Sequence, residues 1–303
     1  MSRSRNYARP EARNWFDRIM QPKLTFEKSS KMKFGTEQSL VQARSSLALL
    51  YGTVGEFRFP MRFRAQILSR LLPKDFQPGT IWDAGCGEGQ TTFMLSRRFP
   101  QARITGTDLN MINVDRCRRI AKNARTDNVV FLQGDLVNDG FRADLVICFE
   151  VLEHIENYRD ALKNLTASLR PGGFLVIHTP ADTVYQSETW GLRRFMKNDH
   201  EGHESDLDHG DGHDHVRPGF VLDDLKEEIA RLGLKVIKAN HTFGRASMHA
   251  HTIYEWSRSR SKVWQVITLP PLMAVASIEE FLPIRTGGGI LIVAQRVVPN
   301  NDQ

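Results

Sequence analysis

From residue 80 onward the chain repeats one pattern, and it constrains the fold more than any other feature. Short runs rich in Ile, Val and Phe alternate with amphipathic stretches. The runs are Thr80–Ala84, Arg103–Thr107, Val129–Gln133, Asp144–Glu150, Phe174–Thr179, Leu234–Ala239 and Ile290–Ala294. Helical spacing of apolar residues fills 89–98, 111–125, 157–170 and 221–232 between them. Strands that alternate with helices predict a parallel sheet covered on both faces. Ahead of this unit, Ser39–Leu50 and Met61–Leu72 also carry helical spacing. Two additions interrupt the alternation, at about 181–220 and 241–286. Additions beside the ligand crevice of an α/β sheet usually set substrate choice, so both are expected to form a substrate cap.

The first strand runs into Asp83-Ala84-Gly85-Cys86-Gly87-Glu88-Gly89 and then a helix. Glycines here allow a tight turn and close approach of backbone to a ligand, with helix N–H groups beyond. Position 90 is Gln90, so the GxGxxG pattern of dinucleotide binding fails. The second strand ends in Asp108-Leu109, where an acid can accept hydrogen bonds from both hydroxyls of an adenosine ribose. The third ends in Gly134-Asp135-Leu136 and the fourth in Phe149-Glu150. Four consecutive strands thus bring a carboxylate to the edge where open α/β sheets bind ligands.

These residues, with Val151-Leu152-Glu153-His154 and Leu169-Arg170-Pro171-Gly172-Gly173, resemble the class I S-adenosylmethionine-dependent methyltransferases. The resemblance is strong over roughly 78–180 and weaker over 216–240 and 288–296. It implies a Rossmann-like seven-stranded sheet with helices on both faces and an antiparallel last strand, Gly287 to Val293. An N-terminal basic arm and helical segment, 1–60, would precede a methyltransferase domain, 61–303. The resemblance further implies that Gly85 and Gly87 pass under the methionine part of S-adenosylmethionine, with Asp83 facing its amino group. Asp108 would hold the ribose with Leu109 beside it. Asp135 would accept from the adenine amino group, the Leu136 N–H would face a ring nitrogen, and Glu150 would complete the cofactor edge.

A sulfonium is an activated methyl donor, so the protein has mainly to orient and deprotonate an acceptor. Glu150, Glu153 and His154 fall on one face if a helical turn begins at Glu150. Two carboxylates and an imidazole could form part of a divalent-metal site. Quinone-biosynthesis O-methyltransferases share a similar Glu-Val-Leu-Glu-His segment. Small-RNA 2′-O-methyltransferases use a similar Glu-x-x-Glu-His plus a distant His to hold magnesium; here that His would be His213 or His215. Both histidines close an acidic, His-rich segment, 199–215, whose plainer reading is a solvated loop. His215 leads into His-Val-Arg, which sits beside the acceptor pocket in similar enzymes. It is the preferred base or metal ligand, followed by His154. His178, within the fifth strand, is expected to be packed, and Cys86 to be a small residue in the turn rather than a nucleophile.

The formal net charge of +6 is concentrated in residues 1–34, where nine Lys/Arg face three acids, so the body is neutral. That balance disfavours a nucleic-acid channel. Three cysteines without CxxC spacing read as a reducing compartment. No apolar leader is visible, and a cytoplasmic protein is expected. The apolar and aromatic content of 241–286 (Phe243, Trp256, Trp264, Leu272, Phe281) suits a greasy pocket and hence a small, fairly apolar, hydroxylated, even lipid-like acceptor. The same segment could dip into a membrane interface, although Pro270-Pro271 argues against one continuous helix. The alternatives are an RNA methyltransferase with a metal-assisted 2′-O site and a cofactor-binding scaffold without catalysis.

Overall fold

A computed structural model describes residues 58–71, 75–182, 216–279, 281–282 and 284–297. The expected helix at 39–50, the basic arm and the His-rich segment with His213 and His215 lie outside the described residues. Helix α1, Phe59–Leu71, leads into β1, Thr80–Ala84. There follow α2 (Gln90–Arg98), β2 (Arg103–Asp108), α3 (Met111–Ala124), β3 (Val129–Gln133) and β4 (Ala143–Phe149). A single 3₁₀ turn, Leu152–His154, precedes α4 (Tyr158–Ser168) and β5 (Leu169–Pro180). The chain closes with α5 (Leu222–Arg231), β6 (Leu234–Thr242), α6 (Arg245–Arg260), α7 (Lys262–Glu279) and β7 (Gly289–Arg296).

The seven strands form one sheet in the order β3-β2-β1-β4-β5-β7-β6. β1 to β5 run parallel, and β7 lies antiparallel between β5 and β6. This is the Rossmann-like sheet with an antiparallel last strand that the sequence implies. β1 pairs with both β2 and β4, so the chain reverses its direction of travel across the sheet there. Such a switch point leaves a crevice at the carboxyl ends of the strands.

Two apolar layers cover the sheet. One packs α4 and α5 through residues such as Leu162, Leu165 and Ile229. The other holds α2 and α3 together with a unit built from α1, α6 and α7. Phe63 meets Phe243 at a ring separation of 4.3 Å, and Phe59 packs on Tyr254. The addition at 241–286 is thus largely a helical hairpin clamped on α1. Its aromatics do not gather into one pocket. Phe243 and Leu272 join the core, whereas Trp256, Trp264 and Phe281 face outward.

α7 runs unbroken through Pro270-Pro271, contrary to the expected break. Both prolines are exposed. Neither proline has an N–H to give the Val266 and Ile267 carbonyls, and with both rings exposed the helix can bend rather than end.

Candidate functional site

The glycine loop is shaped by three left-handed residues, Gly85 (φ 78°), Gly87 (φ 50°) and Gly89 (φ 80°). The first two N–H groups of the loop, from Gly85 and Cys86, both donate to the Thr107 carbonyl on β2. Gly89 caps α2. The Gly87 N–H donates to Asp108 Oδ2 at 2.8 Å, and the Asn110 N–H donates to Oδ1 at 2.9 Å. Asp108 therefore ties the loop to the end of β2 while staying only half-buried. Each carboxylate oxygen has two acceptor positions, so capacity for further donors remains. A Cβ placed on Gly87 would meet no atom of the described residues within 4 Å, so among these the loop faces open space.

Around this centre the other acids take separate roles. Asp83 is buried and accepts from the Thr92 hydroxyl on α2. Burial pushes its carboxyl up to about 6, with the Thr92 hydrogen bond opposing and the nearby Asp108 adding. Asp135 turns back on its own loop, where it accepts from the Val137 N–H and from Asn138 Nδ2. Leu136 is buried behind it, and Leu109 stands exposed at the end of β2. Glu88, within the loop, pairs with Arg58 and Arg116 at 2.7 Å each. Burial opposes its charge, yet the two guanidiniums outweigh it and hold the carboxyl below its usual range. The Cys86 thiol is pushed well above its usual range by its hydrogen bond with Cys117 and by burial, as suits a packing residue.

Glu150 and Glu153 do not share a helical face. Glu150 has left-handed backbone (φ 55°) and precedes the turn, which begins only at Leu152. The Glu150 side chain lies inside, with Oε2 2.8 Å from Arg64 Nη2 and Oε1 2.6 Å from His178 Nδ1. His178 Nε2 in turn meets Thr242 Oγ1 at 2.8 Å. Burial lowers the His178 pKa, so the ring is neutral; Nδ1–H then donates to Glu150 and Nε2 accepts from Thr242. Arg64 and Thr242 are partners that the sequence reading did not name. Glu153 is fully buried; its Oε2 accepts from the Thr179 hydroxyl, and Oε1 has no hydrogen-bond partner among the described residues. His154 is half-buried at the end of the turn. Among the described residues no three His, Cys, Asp or Glu gather into a group that could hold a metal ion.

Arg217 fixes this turn. Its Nη1 donates to the Leu152 and Ile155 carbonyls and its Nη2 to Glu156, while its plane lies 4.3 Å over the Tyr158 ring. The N–H groups of Val216 and Arg217 also donate to the Glu153 carbonyl. The His-Val-Arg stretch therefore adjoins Glu153 and His154 through its last two members.

Burial, and then repulsion from Glu150, raise the Glu153 carboxyl to about 8. A folded state that keeps its proton while the unfolded chain ionises loses stability as pH rises from about 4.5 to about 8. Glu153→Gln is expected to flatten that decline and to be more stable than the parent at pH 8 by on the order of 2 kcal/mol. Urea midpoints at pH 5 and pH 8 measure it, and parallel declines in the two proteins would contradict the assignment.

A family model described as a methyltransferase domain matches residues 55–239. The chain belongs to the class I S-adenosylmethionine-dependent methyltransferases. Among curated relatives, trans-aconitate 2-methyltransferase of Rhodopseudomonas palustris is 30% identical over 118 residues, which are 38% of this chain and 44% of that protein. The enzyme of the same name from Deinococcus radiodurans is 32% identical over 124 residues, 41% of this chain and 46% of that protein. The chain thus matches under half the length of these relatives. Among solved structures, geranyl diphosphate C-methyltransferase from Streptomyces coelicolor A3(2) superimposes with a TM-score of 0.50 at 20% identity, covering 78% of this chain and 79% of that one. The [4+2]-cyclase SpnF does so with a TM-score of 0.51 at 16% identity, covering 78% and 82%. Methyltransferase and cyclase share the fold, so the reaction must be argued from the site.

Proposed function

We propose that this methyltransferase moves the methyl group of S-adenosylmethionine to a hydroxyl of a small, fairly apolar acceptor. The observation that carries the reading is the Asp108 carboxylate, bonded to the Gly87 N–H at the mouth of an open glycine loop. When bound, the cofactor supplies an electrophilic methyl group on a cationic sulfonium. The donors of that cofactor are an ammonium, a vicinal diol and an adenine amino group, and half-buried carboxylates suit all three. In this reading Asp108 holds the diol, Asp135 and the Leu136 N–H face the adenine, and Gly85 to Gly87 let the backbone lie against the methionine part. Asp83, hydrogen-bonded to Thr92, supports the loop from below.

A hydroxyl acceptor must lose a proton as the new bond forms, so a base is needed beside it. His154 is the candidate among the described residues, and His215 remains the candidate suggested by the family resemblance. Both oxygens of Glu150 are already engaged, by Arg64 and His178. An acceptor with several carboxylates would call for cations facing the site. Among the described residues, Arg64 is paired with Glu150, and Arg58 and Arg116 with Glu88, which favours a less charged molecule.

Calorimetric titration with S-adenosylhomocysteine tests the cofactor half of this reading. Micromolar binding is expected, weakened on the order of 100-fold by Asp108→Ala, as for loss of a charge-assisted hydrogen bond at a ligand. Equal binding by the variant would refute the assigned role. A screen of hydroxylated against amine acceptors, read by methyl incorporation, tests the other half.

A further inference from the structure

α7 is apolar on two faces. Its inner side buries Leu269, Leu272 and Ala276 beside the polar residues Gln265 and Glu279, with Thr268 and Ser277 half-buried. Glu279 accepts from the Ala246 and Ser247 N–H groups at the start of α6, Thr268 bonds Ser257, and the Gln66 amide on α1 hydrogen-bonds Ser277. Its outer side is apolar. Val263, Trp264, Ile267, Val275 and Ile278 recur at helical spacing and are exposed, Trp264 by 50% and Ile278 by 65%. Phe281 and Leu282 extend the stripe beyond the helix. A solvated helix normally presents charge on this face, and contiguous exposed apolar surface marks a contact site.

Both ends of the stripe are basic. Arg258, Arg260 and Lys262 stand exposed at one end, where Arg258 pairs with Glu255 at 3.3 Å and the Arg260 guanidinium lies 5.1 Å over the Trp256 ring, a net positive end. Arg285 is exposed at the other, and the Arg70 guanidinium lies 5.3 Å over Phe281. No described residue between Val263 and Ile278 is charged. The neighbouring acid Glu280 lies outside the described residues.

We propose that the outer face of α7 seats on an anionic lipid surface. The charge pattern selects this occupant. Pairing α7 with a second copy would bring basic end to basic end in either helix direction. Residues 1–34 carry a net positive charge as well, which is of the same sign as both ends. Anionic headgroups complement both ends, and the arm adds to the attraction. Tryptophan beside Arg and Lys is the composition of a helix lying at the headgroup level. No helix among the described residues is long and apolar enough to cross a bilayer, so the contact is with one surface only. This inference does not depend on the methyl acceptor.

Co-sedimentation of the full chain with phosphatidylcholine vesicles, with and without an equal part of phosphatidylglycerol, is the test. Binding is expected to the anionic vesicles, to weaken with salt, and to fall at least about tenfold in Trp264→Asp/Ile267→Asp. Both residues are exposed, so the variant should keep the parent thermal midpoint, and Arg258→Glu/Arg260→Glu provides an independent variant that leaves the apolar stripe intact. Two results would overturn the proposal. One is absence of binding to anionic vesicles, most directly alongside a dimer in sedimentation velocity that Trp264→Asp/Ile267→Asp dissociates. The other is binding that both double variants leave unchanged.

Discussion

Glu150→Ala is expected to lower the unfolding free energy by about 3–5 kcal/mol, as when one partner of a buried ion pair is removed. Both side chains of the Arg64–Glu150 pair are only 9% exposed. Alanine would leave the Arg64 guanidinium in an apolar layer without its carboxylate, and would remove the acceptor of the His178 ring N–H. The chain from Thr242 through His178 to Glu150 and Arg64 links β6, β5, the end of β4 and α1. Its loss should therefore loosen α1 and the start of α6 together. The left-handed backbone at Glu150 would remain strained, because alanine gains nothing there. Glu150→Gln keeps the shape and one acceptor, so it should lose less. Urea unfolding gives the measurement: the midpoint should fall with an unchanged slope. A loss under about 1 kcal/mol for the alanine variant would mean that water screens the pair as it does at a surface.

The strands were legible because burial on both faces of a parallel sheet demands continuous apolar runs, and β1 and β3 match the runs read from the sequence residue for residue. β5 was read short at its start. Leu169 to Gly173 look like a helix end and turn, but the strand already begins there, with Leu169 opposite Ala143. The glycine loop and Asp108 were legible because left-handed backbone and a strand-end acid leave a local signature. The Glu150 network was not, since its members lie as far apart as Arg64 and Thr242. Two signals did point to it. Arg64 shares a helical stripe with the buried Ile67, Leu68 and Leu71, and His178 interrupts an apolar strand; a polar residue at a core position needs a partner. The aromatics of 241–286 show the limit of composition. It counted five large apolar residues without saying that two face inward and three outward.

Gly85→Ala and Gly87→Ala should fail in different ways, and the contrast separates support of the loop from contact with the cofactor. At Gly85 a Cβ would fall inside the Val151 side chain, with Cγ1 at 2.9 Å and Cβ at 3.1 Å, on backbone already at φ 78°. Valine is branched at Cβ and stiff about χ1, so rotation alone cannot clear the overlap. Left-handed strain and overpacking together should cost about 3 kcal/mol or more. Because Val151 lies between Glu150 and the turn that holds Glu153, the damage would spread into the buried network. Gly85→Ala/Val151→Ala should recover the overlap share but not the backbone share, leaving a deficit of about 1–2 kcal/mol. At Gly87 the added methyl meets no atom of the described residues within 4 Å, so stability should fall by only about 1 kcal/mol. S-adenosylhomocysteine binding should fall steeply there, because the methyl group occupies the space assigned to the ligand. Thermal midpoints and titrations on the same three variants give the comparison. If Gly87→Ala bound the ligand normally, the open space above the loop would not be the cofactor site.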